Sequence, residues 1–198
     1  MKVALFTNTS EEANIVKKIL NPKLTVINNH CNCQLDNFDL LVSYCYKDRI
    51  DSNIFSQPKY GGINFHPAPL PKYRGFAVYN FGILNEETEW GVTVHMLEQA
   101  FDTGDILLQK KISMEKNETA ISLRNKSHQT MIKMIPEVIN NFKDLYDNRK
   151  PQTGESNYYS KKMMNSERAV TPTDDEKTIR KKIRAFWYPP YPGVYIEN

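Results

Sequence analysis

Cysteine is scarce: Cys31, Cys33 and Cys45 are the three in 198 residues. So few, in an odd number, exclude a disulfide framework and fit a reducing, cytoplasmic setting. His30-Cys31-Asn32-Cys33 is a metal-like cluster. Zinc needs four well-placed ligands, and no second cluster of suitable spacing answers it. Ordinary thiols in a loop, and no metal, are therefore expected. Long apolar runs are missing too. Met1-Lys2-Val3-Ala4-Leu5-Phe6 is too short for a signal peptide core or a membrane span, so no membrane partner is expected. Dense basic blocks are absent. Lys161-Lys162 and Lys181-Lys182 are pairs at most, and the net charge is +3. Charge alone thus gives no support to nucleic-acid binding. The turn after the first apolar run, Asn8-Thr9-Ser10-Glu11-Glu12, has no glycine. It lacks the residue that lets backbone N–H groups close around a terminal phosphate. No internal repeat or low-complexity segment is present.

What is there suffices for one full-sized domain with a real core. Val3–Phe6 reads as a buried strand. Thr9 and Glu12, three apart, form a capping-box pattern for a helix over 10–20. Asn21-Pro22 stops that helix, and a strand over 24–27 follows. The chain thus opens β-α-β, the start of an α/β fold with a parallel sheet covered by helices. Only the residues from Asn28 through Asp36 separate this strand from the next, Phe38–Ser43. That is too short for a helical crossover, so the crossover helix is expected to be missing. A short helix is expected over 52–55, a strand over 61–65 and a helix over 76–84. Strands are expected over 91–97 and 105–112, joined as a hairpin by a loop over 98–104. An apolar stripe predicts a helix over 120–146, kinked or restarted at Pro136. A polar linker with Pro151 and Gly154 separates residues 1–150 from a short extension, 151–198. The extension carries a short strand at Tyr158-Tyr159 and a second capping box at Thr173. It ends in Phe186-Trp187-Tyr188-Pro189-Pro190-Tyr191, an aromatic density that packs onto a core or a partner chain.

Chemistry concentrates in Ile63-Asn64-Phe65-His66-Pro67-Ala68-Pro69-Leu70-Pro71-Lys72-Tyr73-Arg74-Gly75. Asn64 and His66 are two apart on a strand and so share a face. The prolines then force a rigid, irregular path. Downstream stands Phe101-Asp102-Thr103-Gly104-Asp105. An amide, an imidazole and a carboxylate at strand or loop ends can stabilise an oxyanion and move protons. Each alone also has a structural reading. Asn64 can bond backbone at a strand end, His66 can be a satisfied core histidine, and Asp102 can start a turn. His95 and His128 are read as structural.

These motifs, with Gly91-Val92-Thr93-Val94-His95-Met96 between them, resemble the formyltransferases that use 10-formyltetrahydrofolate. The resemblance is strong over roughly 38–114. Against the family's longer βα units, the N-terminal half looks shortened. The resemblance implies a Rossmann-like, mostly parallel sheet with flanking helices. It implies Asn64, His66 and Asp102 as catalytic residues in a direct formyl transfer through a tetrahedral intermediate, with no metal. It places Lys47, Asp48, Arg49, Ile50, Leu70 and Asp105 around the folate, and Asn8, Thr9 and Arg74 around the acceptor. Within the family, Tyr79-Asn80-Phe81 and the Tyr188-Pro189-Pro190-Tyr191 tail look most like the nucleotide-sugar N-formyltransferases. The implied acceptor is the amine of a nucleotide-linked amino sugar. The alternatives are glycinamide ribonucleotide, hydrolysis of the folate itself, or a catalytically dead binding module. The aromatic tail would serve a homodimer contact or stack a nucleotide base.

Overall fold

The computed structural model of the protein describes residues 1–8, 10–20, 24–26 and 34–197. Thr9, the Asn21-Pro22 stop and the His30–Cys33 stretch lie outside the described residues. So does most of the segment in which no crossover helix is expected. The N-terminal half runs β1 (Val3–Phe6), α1 (Ser10–Leu20), β2 (Leu24–Val26), β3 (Leu40–Tyr44), α2 (Ser52–Phe55) and β4 (Gly62–His66). Then come β5 (Arg74–Gly75), α3 (Val78–Leu84), β6 (Glu89–Met96) and β7 (Ile106–Ser113). The chain continues with α4 (Ala120–Asn140), α5 (Phe142–Asp147), β8 (Tyr158–Tyr159) and α6 (Lys161–Ser166). It closes with β9 (Ala169–Val170), α7 (Glu176–Phe186) and β10 (Tyr195–Ile196).

The six-stranded sheet has the order β2-β1-β3-β4-β6-β7. Its first four strands are parallel, and β6 pairs antiparallel with β4. The fold is therefore α/β with a mixed, mostly parallel sheet. Among the described residues no helix is long and apolar enough to cross a membrane.

The chain divides into two compact units threaded by alternating segments. The first holds Met1–His66, Thr93–Gln109 and Met131–Gln152; the second holds Pro67–Val92, Lys110–Thr130 and Thr153–Asn198. In the first, the central strands are apolar on both faces, as buried parallel strands must be. Val3, Leu5, Leu40, Leu41 and Ile63 are completely buried. Ala4, Phe6, Leu35 and Leu41 form a cluster against which Tyr46, Ile50, Phe55 and Leu97 pack.

The second unit is built on aromatics. Tyr159 stacks on Tyr73 and on Phe81, with ring centres 5.2 and 4.3 Å apart. Trp90 donates its indole N–H to the Pro67 carbonyl at 2.9 Å and so ties down the proline-rich loop. Gly82 sits in α3 because a Cβ there would lie 2.5 Å from the Trp90 ring. The Tyr73 hydroxyl donates to Glu87 at 2.7 Å and accepts from Asn85 Nδ2 at 3.0 Å. Burial first, and the Glu87 carboxylate second, push that phenol far above the ordinary tyrosine range. The tail aromatics divide: Phe186 is buried and Tyr188 packs on the core, while Trp187, Tyr191 and Tyr195 are exposed.

Two local expectations are corrected. Pro136 does not restart the helix: α4 runs through it to Asn140, and α5 begins after Asn141. Pro136 lies on the exposed face, where the carbonyl it leaves unbonded can turn to water. The cap of α7 is not Thr173 but Asp175, whose carboxylate accepts from the Thr178 N–H at 2.7 Å. Asp175 takes the cap because it stands immediately before the first helical residue, the position whose side chain reaches an orphan N–H.

Candidate active site

β4 and β6 build the site. Their register pairs Asn64 with His95 and His66 with Thr93. The period-two alternation of both strands then directs Asn64, His66 and His95 to one region of the first unit. Asn64 Nδ2 lies 3.2 Å from His95 Nε2. His95 Nδ1 lies 2.7 Å from the Met96 carbonyl oxygen. A carbonyl only accepts, so Nδ1 carries a proton. In the neutral ring Nε2 is then an acceptor, and one Asn64 N–H donates to it. This fixes the plane of the Asn64 amide and leaves its second N–H as a directed donor.

The carboxylate comes from the loop after β6. Asp102 Oδ1 stands 3.4 Å from His66 Nδ1 and 3.5 Å from His95 Nε2. One carboxylate oxygen thus lies close to two imidazoles, whose rings meet edge-on at 78° with centres 6.1 Å apart; His66 Nδ1 can donate to it, while His95 Nε2 already accepts from Asn64. Both distances exceed those of a tight charge-assisted hydrogen bond. The His66 contact has room to shorten when the site is occupied, as catalytic contacts commonly do. The histidine side chains are 4% and 1% exposed and Asp102 11%, so these charges act in a medium that screens them poorly.

Asp102 has φ 56, in the left-handed region. For a non-glycine residue that conformation is strained and persists only where its surroundings impose it. Gln152 supplies part of the restraint, donating to the carbonyls of Asp102 at 3.0 Å and Gly104 at 2.8 Å. Gly104 lies so close to the Met96 carbonyl oxygen that a Cβ would stand 2.0 Å from it.

The remaining residues expected at the site are placed as follows. Lys47 donates its N–H to Asn8 Oδ1 at 2.5 Å, joining the end of β1 to the loop after β3. Asp48 and Arg49 are exposed in that loop, and Ile50 packs into the apolar cluster of the first unit. Asp105 faces Arg149 Nε at 3.3 Å, and its carbonyl accepts from the Met96 N–H. Leu70 and Arg74 belong to the second unit. Leu70 is buried, and Arg74 has a buried Nε without a hydrogen-bond partner among the described residues. Thr9 is not among the described residues.

His95, read from the sequence as structural, lies beside Asn64 and Asp102. Its parity puts Thr93 and His95 on one face of β6, but that β6 pairs with the Asn64 strand is a long-range fact. Only the antiparallel register brings the two side chains opposite each other.

The formyl transferase family model matches residues 8–139. The chain belongs to the formyl transferase family. That match takes in all of Asn64, His66, His95 and Asp102. The GDP-perosamine N-formyltransferase of Brucella melitensis is 35% identical over 159 residues, 80% of this chain and 61% of that one. The methionyl-tRNA formyltransferase of Ehrlichia ruminantium is 39% identical over 109 residues, 55% of this chain and 36% of that one. This member of the family thus spans about three fifths of the length of the Brucella relative. A 4-N formyltransferase from Francisella tularensis shares its fold, with a TM-score of 0.85 at 19% identity over 98% of this chain and 91% of that one.

Proposed function

We propose that this formyl transferase family member moves a formyl group from 10-formyltetrahydrofolate to the amine of a nucleotide-linked amino sugar. The observation that carries the reading is Asp102 Oδ1 beside His66 Nδ1, with the Asn64 amide fixed next to them. In this reading the unprotonated amine attacks the formyl carbon. The carbonyl oxygen becomes an oxyanion, and the second Asn64 N–H and the His66 ring stabilise it. The new C–N bond forms as the bond to the folate nitrogen breaks. The amine loses a proton and the folate nitrogen gains one, with Asp102 and the imidazoles as the acid–base group. No covalent enzyme intermediate and no metal are needed.

Lys47, Asp48, Arg49, Ile50, Leu70 and Asp105 are proposed to hold the folate, and Asn8, Thr9 and Arg74 the acceptor. Arg74 suits a phosphate, because its buried Nε lacks a hydrogen-bond partner among the described residues and a guanidinium pairs with phosphate in a forked geometry. We assign catalysis to residues 1–150 and treat 151–198 as an extension. The exposed Trp187, Tyr191 and Tyr195 suit a homodimer contact of the cytoplasmic enzyme, without nucleic-acid or membrane partners.

The sugar acceptor is supported by the Brucella relative, which is similar over the larger share of this chain. The test measures tetrahydrofolate release with four acceptors at equal concentration: a nucleotide 4-amino-deoxysugar, glycinamide ribonucleotide, methionyl-tRNA and water alone. Turnover on the amino sugar is expected. Turnover on methionyl-tRNA or glycinamide ribonucleotide alone would reassign the substrate. Release without an acceptor would make the protein a hydrolase, and no release under any condition would make it a binding module.

A further inference from the structure

The loop that carries Asp102 is gripped from two directions within the first unit. On its C-terminal side Gln152 holds the carbonyls of Asp102 and Gly104. Its N-terminal side, residues 98–101, is exposed. There Arg49 reaches across from the loop after β3. Its Nη2 donates to the Gln99 carbonyl at 3.1 Å, and its guanidinium carbon lies 5.8 Å from the centre of the Phe101 ring. These two contacts fix the backbone immediately before Asp102. A residue held at φ 56 returns to a commoner conformation when its neighbours are released. Such a return would swing the carboxylate away from His66 Nδ1.

We infer that Arg49 is a positioning residue that latches residues 98–101 and so aims Asp102 at His66. Arg49 is exposed, and a single hydrogen bond and ring contact in water make a latch that opens and closes rather than a permanent clamp. What the latch is for rests on the proposed function. Arg49 lies in the stretch 47–50 proposed to hold the folate, so folate occupancy and the aim of Asp102 meet in one side chain. Folate seated against that stretch would steady Arg49, and Arg49 would steady the carboxylate. The site would then be fully assembled when the formyl donor is present.

Two readouts test this, and one of them uses no substrate. The first is the ring-nitrogen NMR shifts of His66 in the protein alone. Arg49→Ala is expected to move them in the direction that Asp102→Asn moves them, and Arg49→Lys, which keeps the charge and a donor, to restore much of the original position. Unmoved His66 shifts in Arg49→Ala would overturn the latch, whatever the acceptor turns out to be. The second readout is kinetic. Arg49→Ala is expected to lower kcat roughly tenfold, the scale of a small misplacement of a catalytic group. The folate Kd measured by direct titration should rise as well, because folate and the latch meet in Arg49 and coupling between them is reciprocal. Arg49→Ala combined with Asp102→Asn should be no slower than Asp102→Asn alone, because residues that act through one another are not additive. Additive losses would overturn the latch. A loss of folate affinity with the His66 shifts unmoved would overturn the latch and leave Arg49 a folate contact alone. An absence of turnover on every acceptor, with the His66 shifts moving as expected, would sink the proposed function and leave the latch standing.

Discussion

Asn64 and His95 are register partners on adjacent antiparallel strands, and their side-chain nitrogens lie 3.2 Å apart. A strand-pairing register therefore orients the amide that the proposed chemistry aims at an oxyanion. His95 is 1% exposed, so its removal empties a buried site and leaves a part-buried Asn64 N–H without its acceptor, which together cost on the order of 1–3 kcal/mol. His95→Ala should lower stability by that order in urea titrations. It should reduce single-turnover rate more than it weakens folate binding. His95→Gln, which can still accept from Asn64, should recover part of the rate. Equal rates in the two variants would show that accepting from Asn64 is not what His95 contributes.

Asn64→Ala and His66→Ala should each lower turnover by roughly two or more orders of magnitude, as loss of an oxyanion donor does. Folate affinity by direct titration should change far less. Near-normal turnover in either variant would remove that residue from the chemistry.

Asp102→Asn separates the fold of the turn from its charge. Asparagine tolerates the left-handed region better than most residues, so the variant should fold normally by circular dichroism and melting. The proton acceptor is gone, so kcat should fall and the acid limb of the pH–rate profile should change shape. A variant with full activity and an unaltered profile would show Asp102 to be a turn residue alone.

His128 predicts a pH dependence of stability. Burial, with a smaller contribution from Arg124, lowers its pKa from 6.5 to about 4. Above 6.5 the ring is neutral in both the folded and unfolded states. As the pH falls from there, the unfolded chain takes up a proton that the folded protein refuses. Stability is thus lost progressively between about 6.5 and about 4 and levels off below. The full effect is about 3 kcal/mol at most. Urea midpoints at pH 7, 5 and 4 should converge for His128→Gln relative to the parent protein. Identical pH dependence in both would assign the acid sensitivity elsewhere.

Glu86 follows Asn85, the C-cap of α3, with φ 53, a position where glycine is commonest. Its carboxylate is 3.1 Å from Lys177 Nζ and 3.7 Å from Lys181 Nζ on α7, and these cations hold it below the usual glutamate range. Glu86→Gly relieves the backbone and removes exposed ion pairs that salt screens. The variant should gain in melting temperature relative to the parent as salt is raised. A relative loss at high salt would show that the backbone strain is negligible.

Much of this was legible in the residues themselves. The apolar run Val3–Phe6 and the alternation of Asn64 and His66 report local geometry, and the strands lie where those patterns put them. The helix over 120–146 was legible as an apolar stripe but not in its break. Pro136 is a local signal that the exposed face of α4 absorbs. His95 was not legible because its place beside Asn64 depends on which strands pair and in what register, a long-range fact. The hold of Gln152 on the Asp102 turn was hidden for the same reason, since nothing local distinguishes that glutamine from any other.

The Gln152 grip also has a meaning in time. It lies 50 residues after the Asp102 carbonyl it holds. On the ribosome, β1, β3 and β4 emerge first and can pair while the rest of the chain is still unmade. Asn64, His66, His95 and Asp102 are all in hand by then or soon after. The turn that aims the carboxylate still waits for the side chain of Gln152 to leave the exit tunnel. A nascent chain stalled before that point would carry Asn64, His66, His95 and Asp102, with the Asp102 turn lacking the Gln152 hold.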